Sequence, residues 1–141
     1  MKLSTRGKYG LYAMYYLALH QGEGPQTLHS IASMGVPEQY LEQLLGSLRR
    51  AGLVRATRGA GGGYHLAKPA GQVTLLDIVD AMEGPVELSE CTCPGQTCDR
   101  ADTCPVRWVW QQTTDAINAE LRKIKLSDML QKAAGNEEVQ P

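Results

Sequence analysis

The sequence predicts a mainly α-helical protein with one small β-hairpin: a winged helix-turn-helix followed by a long C-terminal helix. Three observations predict this fold. An amphipathic helix over residues 38–50 follows a short helix and a glycine-containing turn. Two short β-type runs flank a glycine-rich loop at residues 59–63. A helix that opens at Pro105 carries a long apolar stripe.

The first two helices are placed by their capping residues. Ser4 or Thr5 is suited to cap the first helix, which ends near His20 before a loop with Gly and Pro. Thr27 is suited to cap a short helix over residues 28–33, and Gly35 lies in the turn that follows. Because a short helix, a turn and a second helix form a helix-turn-helix, residues 27–50 are predicted to be that motif.

The helix over residues 38–50 has one apolar and one polar face. Its leucines at 41, 44, 45 and 48 follow the i, i+3, i+4, i+7 spacing of a buried stripe. Taken alone, that stripe favours an ordinary surface helix. The neighbouring elements instead favour a helix that reads base edges in the DNA major groove. The polar face carries Gln39, Glu42, Gln43, Gly46 and Arg50.

Residues 53–58 and 64–67 are predicted to pair as the hairpin, or wing. Arg55 and Arg58 are placed to contact phosphate there. A nucleotide-binding loop is disfavoured, because no Gly-Lys-Ser/Thr follows the glycines. Thr74 is predicted to cap the next helix in a capping box with Asp77, and Gly84-Pro85 ends it. This completes a DNA-binding domain over residues 1–84.

The C-terminal part is predicted to hold a cysteine segment and a dimerisation helix. All four cysteines lie in segment 85–104, a clustering more typical of metal or redox sites than of a disulfide framework. With no domain of its own left to pack on, helix 105–126 is predicted to pair with a second copy. Residues 127–141 are predicted to form a short turn at 128–132 and a disordered tail from 135. The pairing residues are Val109, Trp110, Ile117, Leu121 and Ile124.

Charge and composition limit the class of protein. Residues 1–70 carry eight Lys/Arg and three acids, whereas residues 71–141 carry six and twelve, which favours a polyanion partner for the first half. Neither a membrane-length apolar run nor a secretory signal is visible, so we expect a cytoplasmic protein. The three histidines are scattered, and no acid–base constellation or cofactor fingerprint indicates an enzyme.

Four segments carry a family resemblance: LSTRGKYGL at 3–11, YLEQLL at 40–45, LRRAGLV at 48–54 and RGAGGGY at 58–64. They resemble the small bacterial winged-helix regulators that include the iron–sulfur regulator IscR, the nitric-oxide sensor NsrR and the cysteine-metabolism repressor CymR. The resemblance implies a homodimer on an imperfectly palindromic double-stranded DNA operator. The residues expected at the DNA are Ser4, Thr5, Lys8, Tyr9, Gln39, Tyr40, Glu42, Gln43, Arg50, Arg58, Gly61, Gly62 and Tyr64.

The resemblance further implies an iron–sulfur cluster, 2Fe-2S in preference to 4Fe-4S. Cys98 and Cys104 match the family's spacing, whereas Cys91 and Cys93 both compete for the first ligand position. IscR-type relatives have a histidine ligand where this chain has Arg107, which cannot bind metal. All four cysteines could serve instead. The rivals at this site are mononuclear zinc and a thiol redox switch.

The function expected on these grounds is that of a cluster-sensing transcription regulator, a repressor of iron–sulfur cluster biogenesis genes. A nitric-oxide or thiol-redox sensor of the same family is the alternative. A small iron–sulfur electron-transfer protein or enzyme is the alternative from another class.

Overall fold

The computed structural model describes residues 3–92, 99–100 and 102–139. Within these residues the chain forms six α-helices and one antiparallel hairpin, which confirms the predicted fold class. Short 3-10 turns lie at Ala70–Gln72 and Glu90–Thr92. The elements are α1 (Thr5–Leu19), α2 (Leu28–Ala32), α3 (Glu38–Arg50), β1 (Val54–Thr57), β2 (Gly63–Leu66), α4 (Leu75–Glu83), α5 (Pro105–Lys123) and α6 (Leu126–Val139).

Helix α1 begins where the sequence predicts. Ser4 is its N-cap, and the Ser4 hydroxyl accepts a hydrogen bond from the Gly7 amide at 3.4 Å. The helix lies directly on α4, because a Cβ added at Gly10 would stand 2.6 Å from Met82 Cγ. Glycine at this position therefore allows the two helices to approach closely, and Met14 one turn later is fully buried.

The helix-turn-helix forms as predicted. Thr27 caps α2 by accepting a hydrogen bond from the Ser30 amide at 3.1 Å, and Gly35 makes the turn with a φ of +91°. Pro37 is the N-cap of α3. The predicted stripe of α3 faces the core, since each of its leucines is 0% exposed: Leu41, Leu44, Leu45 and Leu48.

The wing pairs β1 with β2 in a register that runs from Val54 opposite Leu66 to Thr57 opposite Gly63. A second pairing holds the other edge of β2. Tyr64 and Gln26 exchange backbone hydrogen bonds of 2.8 Å in both directions, so the wing is attached to the loop between α1 and α2. The strands differ from the predicted ones only at their ends.

Helix α4 carries the predicted capping box. The Asp77 amide donates to Thr74 Oγ1 at 3.1 Å, and the Thr74 amide donates to Asp77 Oδ2 at 3.0 Å. The helix ends at Gly84, whose φ of +79° suits glycine.

The end of the chain differs from the prediction. Helix α5 stops at Lys123, and the fourteen-residue α6 replaces the predicted short turn. The predicted disordered tail overlaps α6 as far as Val139, and residues 140–141 lie outside the described residues. Helix α6 packs on α1 and the 3-10 turn at Ala70–Gln72. Its apolar residues have helical i, i+3, i+4, i+7 spacing: Leu126, Met129, Leu130 and Ala133.

Helix α5 packs on α4 of its own chain. Thr114 is buried, and Ile117 and Leu121 are half-buried beside an apolar groove that Leu11 of α1 and Ile78 of α4 also line. The prediction that this helix has no domain of its own to pack on is therefore wrong. The winged unit covers part of the second half of α5, which the stripe alone could not reveal.

Candidate DNA interface and cysteine segment

The outward face of α3 is polar and accessible. Because the leucines point to the core, the opposite side chains stand free on one side of the helix. Amide, carboxylate and guanidinium groups in such a position suit the base edges and phosphates of a major groove. The structure brings together four predicted residues that are all exposed: Gln39, Glu42, Gln43 and Arg50.

Arg6 of α1 joins this face, although the sequence did not single it out. Its Nη2 donates to Ser47 Oγ at 2.6 Å, and Arg50 Nη2 donates to the same oxygen at 3.0 Å. Arg6 Nε also donates to the Met82 carbonyl of α4 at 2.9 Å. One side chain thus connects three helices and stands beside the polar concavity of α3, which Gln43 also lines.

The start of α1 is held by a carboxylate from α4. Glu83 Oε1 accepts hydrogen bonds from the Ser4 amide at 3.0 Å and the Gly7 amide at 3.1 Å, and it also contacts the Ser4 hydroxyl. Negative charge at a helix N-terminus is stabilising. The Ser4 hydroxyl is therefore already engaged within the chain, whereas the predicted neighbours Thr5 and Lys8 are exposed.

Two predicted aromatic residues contact each other instead of standing free. Tyr9 of α1 and Tyr40 of α3 pack edge to face with ring centroids 5.7 Å apart. Both rings are half-buried. Such pairs stabilise by about 0.5–1.5 kcal/mol beyond area burial. They join α1 to the start of α3, so their position at the predicted interface has a structural reason as well.

The wing presents two exposed arginines, Arg55 in β1 and Arg58 after it, next to glycines that differ in their surroundings. Arg58 begins the turn and is exposed. Gly61 has a φ of +77° and open space around it. A Cβ on Gly62 would lie 2.9 Å from the Gly59 oxygen and still closer to the backbone of Thr57. Gly62 is thus required by the turn itself, whatever it contacts outside.

The basic side chains of this surface are not neutralised from within. In the part of the chain that the structure describes, Arg6, Arg50 and Arg58 form no ion pair with a carboxylate. A nearby side-chain contact joins His29 Nδ1 of α2 to Glu38 Oε1 of α3 at 2.7 Å. The positive potential of the surface is therefore available to a polyanion.

The cysteines described by the structure lie within the segment between α4 and α5 and at its C-terminal end. Cys91 is in the turn Glu90–Thr92, Cys104 is the N-cap of α5, and both are half-buried. The Ser89 hydroxyl lies 3.2 Å from Cys91 Sγ. Cys93 and Cys98 lie outside the described residues. Within residues 3–92, 99–100 and 102–139, no three potential ligands among His, Cys, Asp and Glu converge.

Arg107 links the start of α5 to the turn that carries Cys91. It lies one turn after Cys104, and its Nε donates to the Cys91 carbonyl at 3.3 Å. The first turn of α5 is therefore held against the turn that carries Cys91. Two partly accessible thiols at such a junction fit a thiolate-bound group. A guanidinium at position 107 does not fit as its fourth ligand.

The first turns of α5 expose large apolar side chains. Ile124 is also 39% exposed, but it follows α5 as its C-cap, and its carbonyl accepts a hydrogen bond from the Leu75 amide at 2.8 Å. Of the predicted pairing residues, Val109, Trp110 and Ile124 are exposed, whereas Ile117 and Leu121 are half-buried. The exposed fractions at the start are 56% for Val106, 64% for Trp108, 45% for Val109 and 39% for Trp110.

The buried leucine stripe, the polar face of α3 and the hairpin define a winged helix-turn-helix regulator of the DNA-binding class. Among the described helices, none combines the length and the apolar character that crossing a bilayer requires. The chain belongs to the Rrf2 family, whose model, described as an iron-dependent transcriptional regulator, matches residues 3–132.

Known relatives agree with this assignment. The chain is 39% identical over 139 residues to the HTH-type transcriptional regulator CymR of Bacillus subtilis, covering 98% of this chain and 96% of that one. It is 35% identical over 131 residues to the regulator IscR of Photorhabdus laumondii, covering 92% and 79%. The solved structure of T. potens IscR is similar at a TM-score of 0.77, with 40% identity over 100% and 92% of the two chains. These relatives are regulators, as the chain was predicted to be, and not enzymes.

Proposed function

We propose that the chain is a homodimeric regulator that senses iron–sulfur status through a cluster held by Cys98, Cys104 and one or both of Cys91 and Cys93. The proposal includes repression of iron–sulfur cluster biogenesis genes in the cytoplasm. The observation that carries it is that Cys91 and Cys104 lie in the one segment joining α4 to α5, where Arg107 holds the turn of Cys91 to the helix that Cys104 caps. The iron-dependent family model and the similarity to IscR support it.

In the proposed complex α3 lies in the major groove with its exposed face toward the bases. Gln43 suits adenine, Glu42 suits the amino group of cytosine, and Arg50 and Arg58 suit phosphates. Two copies present two such helices. The operator is therefore an imperfect palindrome with half-sites about one helical turn, or about 34 Å, apart.

A second copy is proposed to cover the apolar stripe of α5. Exposed tryptophans and valines on the first turns of a helix mark an interaction surface, and a self-complementary pair of the same helices buries them by symmetry. The uncovered start of the helix, with Val106, Trp108, Val109 and Trp110, forms the main contact. The partner also contacts the other predicted positions: Ile117, Leu121 and Ile124.

When bound, the cluster supplies iron ions that draw the thiolates of the segment together. The chain's own residues position that segment. Cys104 begins α5, and Arg107 holds the backbone of Cys91 to the same helix. Since Arg107 cannot be a ligand, a fourth cysteine is expected in its place, in a 2Fe-2S cluster.

The segment is placed to influence the DNA surface through α4. Its first residues follow Met82 and Glu83, which hold Arg6 and the start of α1. Arg6 in turn holds Ser47 of α3. A change in the segment therefore reaches the DNA-reading helix through direct contacts. The coupling required is modest, about 1–3 kcal/mol between cluster and operator.

Anaerobic reconstitution followed by iron and sulfide analysis tests the cluster. Cys98→Ala and Cys104→Ala should each abolish it, while Cys91→Ala and Cys93→Ala identify the remaining ligand or ligands. Arg107→His tests whether a histidine restores the IscR-type ligand set. A wild-type chain that binds zinc without sulfide, or no metal at all, contradicts the proposal.

A thiol- or nitric-oxide-sensing repressor is the second candidate. The similarity to CymR over nearly the whole chain and the presence of Arg107 favour it. It replaces the first proposal if the anaerobically purified chain is colourless and its DNA affinity responds to oxidation or nitric oxide instead of to iron.

The DNA docking is tested by gel-shift titrations at fixed salt. Gln43→Ala should cost about 1–3 kcal/mol and relax base preference, whereas Arg58→Ala should weaken all sequences alike. Lys123→Ala on α5 removes the same charge elsewhere and serves as the control. Unchanged affinity in both of the first two variants contradicts this docking.

Sedimentation at micromolar concentration tests the dimer. Val109→Glu places a charge in the exposed part of the stripe, where it should produce a folded monomer that no longer holds two half-sites. Gln112→Glu adds the same charge at an exposed polar position of α5 and should leave the dimer intact. A monomeric wild-type chain refutes the proposal.

A further inference from the structure

Two guanidinium groups converge on one hydroxyl at the edge of the α3 face. Arg6 and Arg50 reach Ser47 Oγ from different helices, at 2.6 and 3.0 Å. Both donor nitrogens therefore lie within a few ångströms of each other. Like charges so close repel. Neither arginine has a carboxylate partner among the described residues.

The geometry leaves most donors of the pair unused. A guanidinium has five N–H donors and no acceptor. Arg6 directs one donor to the Met82 carbonyl and one to Ser47, and Arg50 directs one to Ser47. The unused donors border the polar concavity that Gln39, Gln43 and the Glu42 carboxylate also line. A tetrahedral oxyanion at that position would remove the repulsion and accept the free donors.

We infer that Arg6, Ser47 and Arg50 form a clamp for one DNA backbone phosphate, next to the base-reading residues of α3. The inference rests on the proposed function and deepens it, because Arg6 becomes a DNA contact. Ser47 sets the spacing of the two guanidinium groups, and Met82 fixes Arg6 from behind. The clamp places a phosphodiester in a defined position relative to Gln43, so it sets how deeply α3 enters the groove.

A phosphate contact is tested best on DNA of no particular sequence. The full chain is titrated with a labelled random-sequence duplex by fluorescence anisotropy at several KCl concentrations. Arg6→Met and Arg50→Met should each raise the dissociation constant about tenfold at low salt, near the lower end expected for hydrogen bonds to charged groups. Each should also lower the salt slope, by up to about 1 for every subunit on the duplex, because the shared phosphate keeps its other arginine. Lys123→Met removes the same positive charge from α5 and serves as the control.

The double variant separates one shared phosphate from two independent ones. If both arginines bind one phosphate, the dissociation constant of the double variant Arg6→Met/Arg50→Met rises less than the product of the two single rises, by at least about threefold. If the rise for the double variant equals the product of the two single rises to within about twofold, the clamp is refuted. Arg6→Lys keeps the charge but not the fork that spans Met82 and Ser47, so it should recover the salt slope and only part of the affinity.

Two further outcomes are decisive. If Arg6→Met weakens binding with an unchanged salt slope, Arg6 acts only by holding the helices together, and the clamp is refuted. If the wild-type chain fails to bind any duplex at low salt, the proposed function itself fails. Circular dichroism of each variant confirms that the chain is folded before its affinity is compared.

Discussion

The wing offers a test in which neighbouring glycines are required for different reasons. Position 61 requires glycine only because its φ is positive, since no atom lies within 4 Å of an added Cβ. Gly63 has a φ of +155°, and its added Cβ would stand 2.6 Å from the carbonyl carbon of Gln26 and closer still to the oxygen. Gly63→Ala therefore forces β2 away from the α1–α2 loop, whereas Gly61→Ala does not.

The expected costs follow from these contacts. A positive φ in a non-glycine residue costs about 1–2 kcal/mol, and this applies to both substitutions. Gly63→Ala also breaks the two 2.8 Å hydrogen bonds between Gln26 and Tyr64. Each contributes about 0.5–1.5 kcal/mol net. The loss is then about 2–5 kcal/mol for Gly63→Ala, against about 1–2 kcal/mol for Gly61→Ala.

Urea denaturation followed by far-UV circular dichroism measures the difference. With a slope near 2 kcal/mol/M, a loss of about 3 kcal/mol lowers the midpoint by about 1.5 M. Arg58 lies in the same hairpin. Gly63→Ala molecules that remain folded should therefore also bind duplex DNA more weakly. Equal midpoints for Gly63→Ala and Gly61→Ala would refute the claim that the pairing of β2 with the loop holds the wing in place.

Three further predictions concern the helices behind this surface. Burial raises the pKa of Asp80, Asp77 adds to the rise and Arg122 opposes it; the contribution of this carboxyl to stability therefore falls as pH rises from about 3.9 through its raised pKa in the folded chain. Asp80→Asn should raise the midpoint of thermal melts slightly at pH 7, because solvent screens most of the repulsion at this exposed position, and should show no gain near pH 3; an equal gain at both pH values refutes the reasoning. Leu126→Ala, at a side chain 1% exposed, should cost about 2–5 kcal/mol in urea melts, and a loss under 1 kcal/mol means that α6 does not hold the core. Glu83→Ala should cost about 1 kcal/mol through the lost cap of α1, and unchanged stability contradicts that role.

The winged unit could be predicted because its signals are local. Thr27 and Thr74 each cap a helix whose start depends only on residues nearby. The leucine stripe of α3 has a strict helical period, and so apolar a face has to pack against the core. Turn glycines such as Gly35 end or redirect the chain by their own backbone preference.

The remaining features depend on contacts between residues far apart in sequence. Arg6 reaches Met82 and Ser47, which lie 76 and 41 positions away, so no local pattern identifies it. The stripe of α5 was visible in the sequence, but which partner covers each part was not. The structure places α4 beside Ile117 and leaves Trp108 uncovered. Periodicity identifies an apolar face without identifying its neighbour.

Helix α6 changes how a signal from the cysteine segment can act. Because Leu126 is buried in the core and its amide donates to the Val73 carbonyl, the end of α5 is anchored to the winged unit. The start of α5 is held to the segment through Arg107 and Cys91. A rearrangement of the segment therefore acts on the start of the helix while its end stays fixed. In the proposed dimer this tilts the paired helices relative to the winged units, and the distance between the two α3 helices, on which half-site binding depends, changes with the tilt.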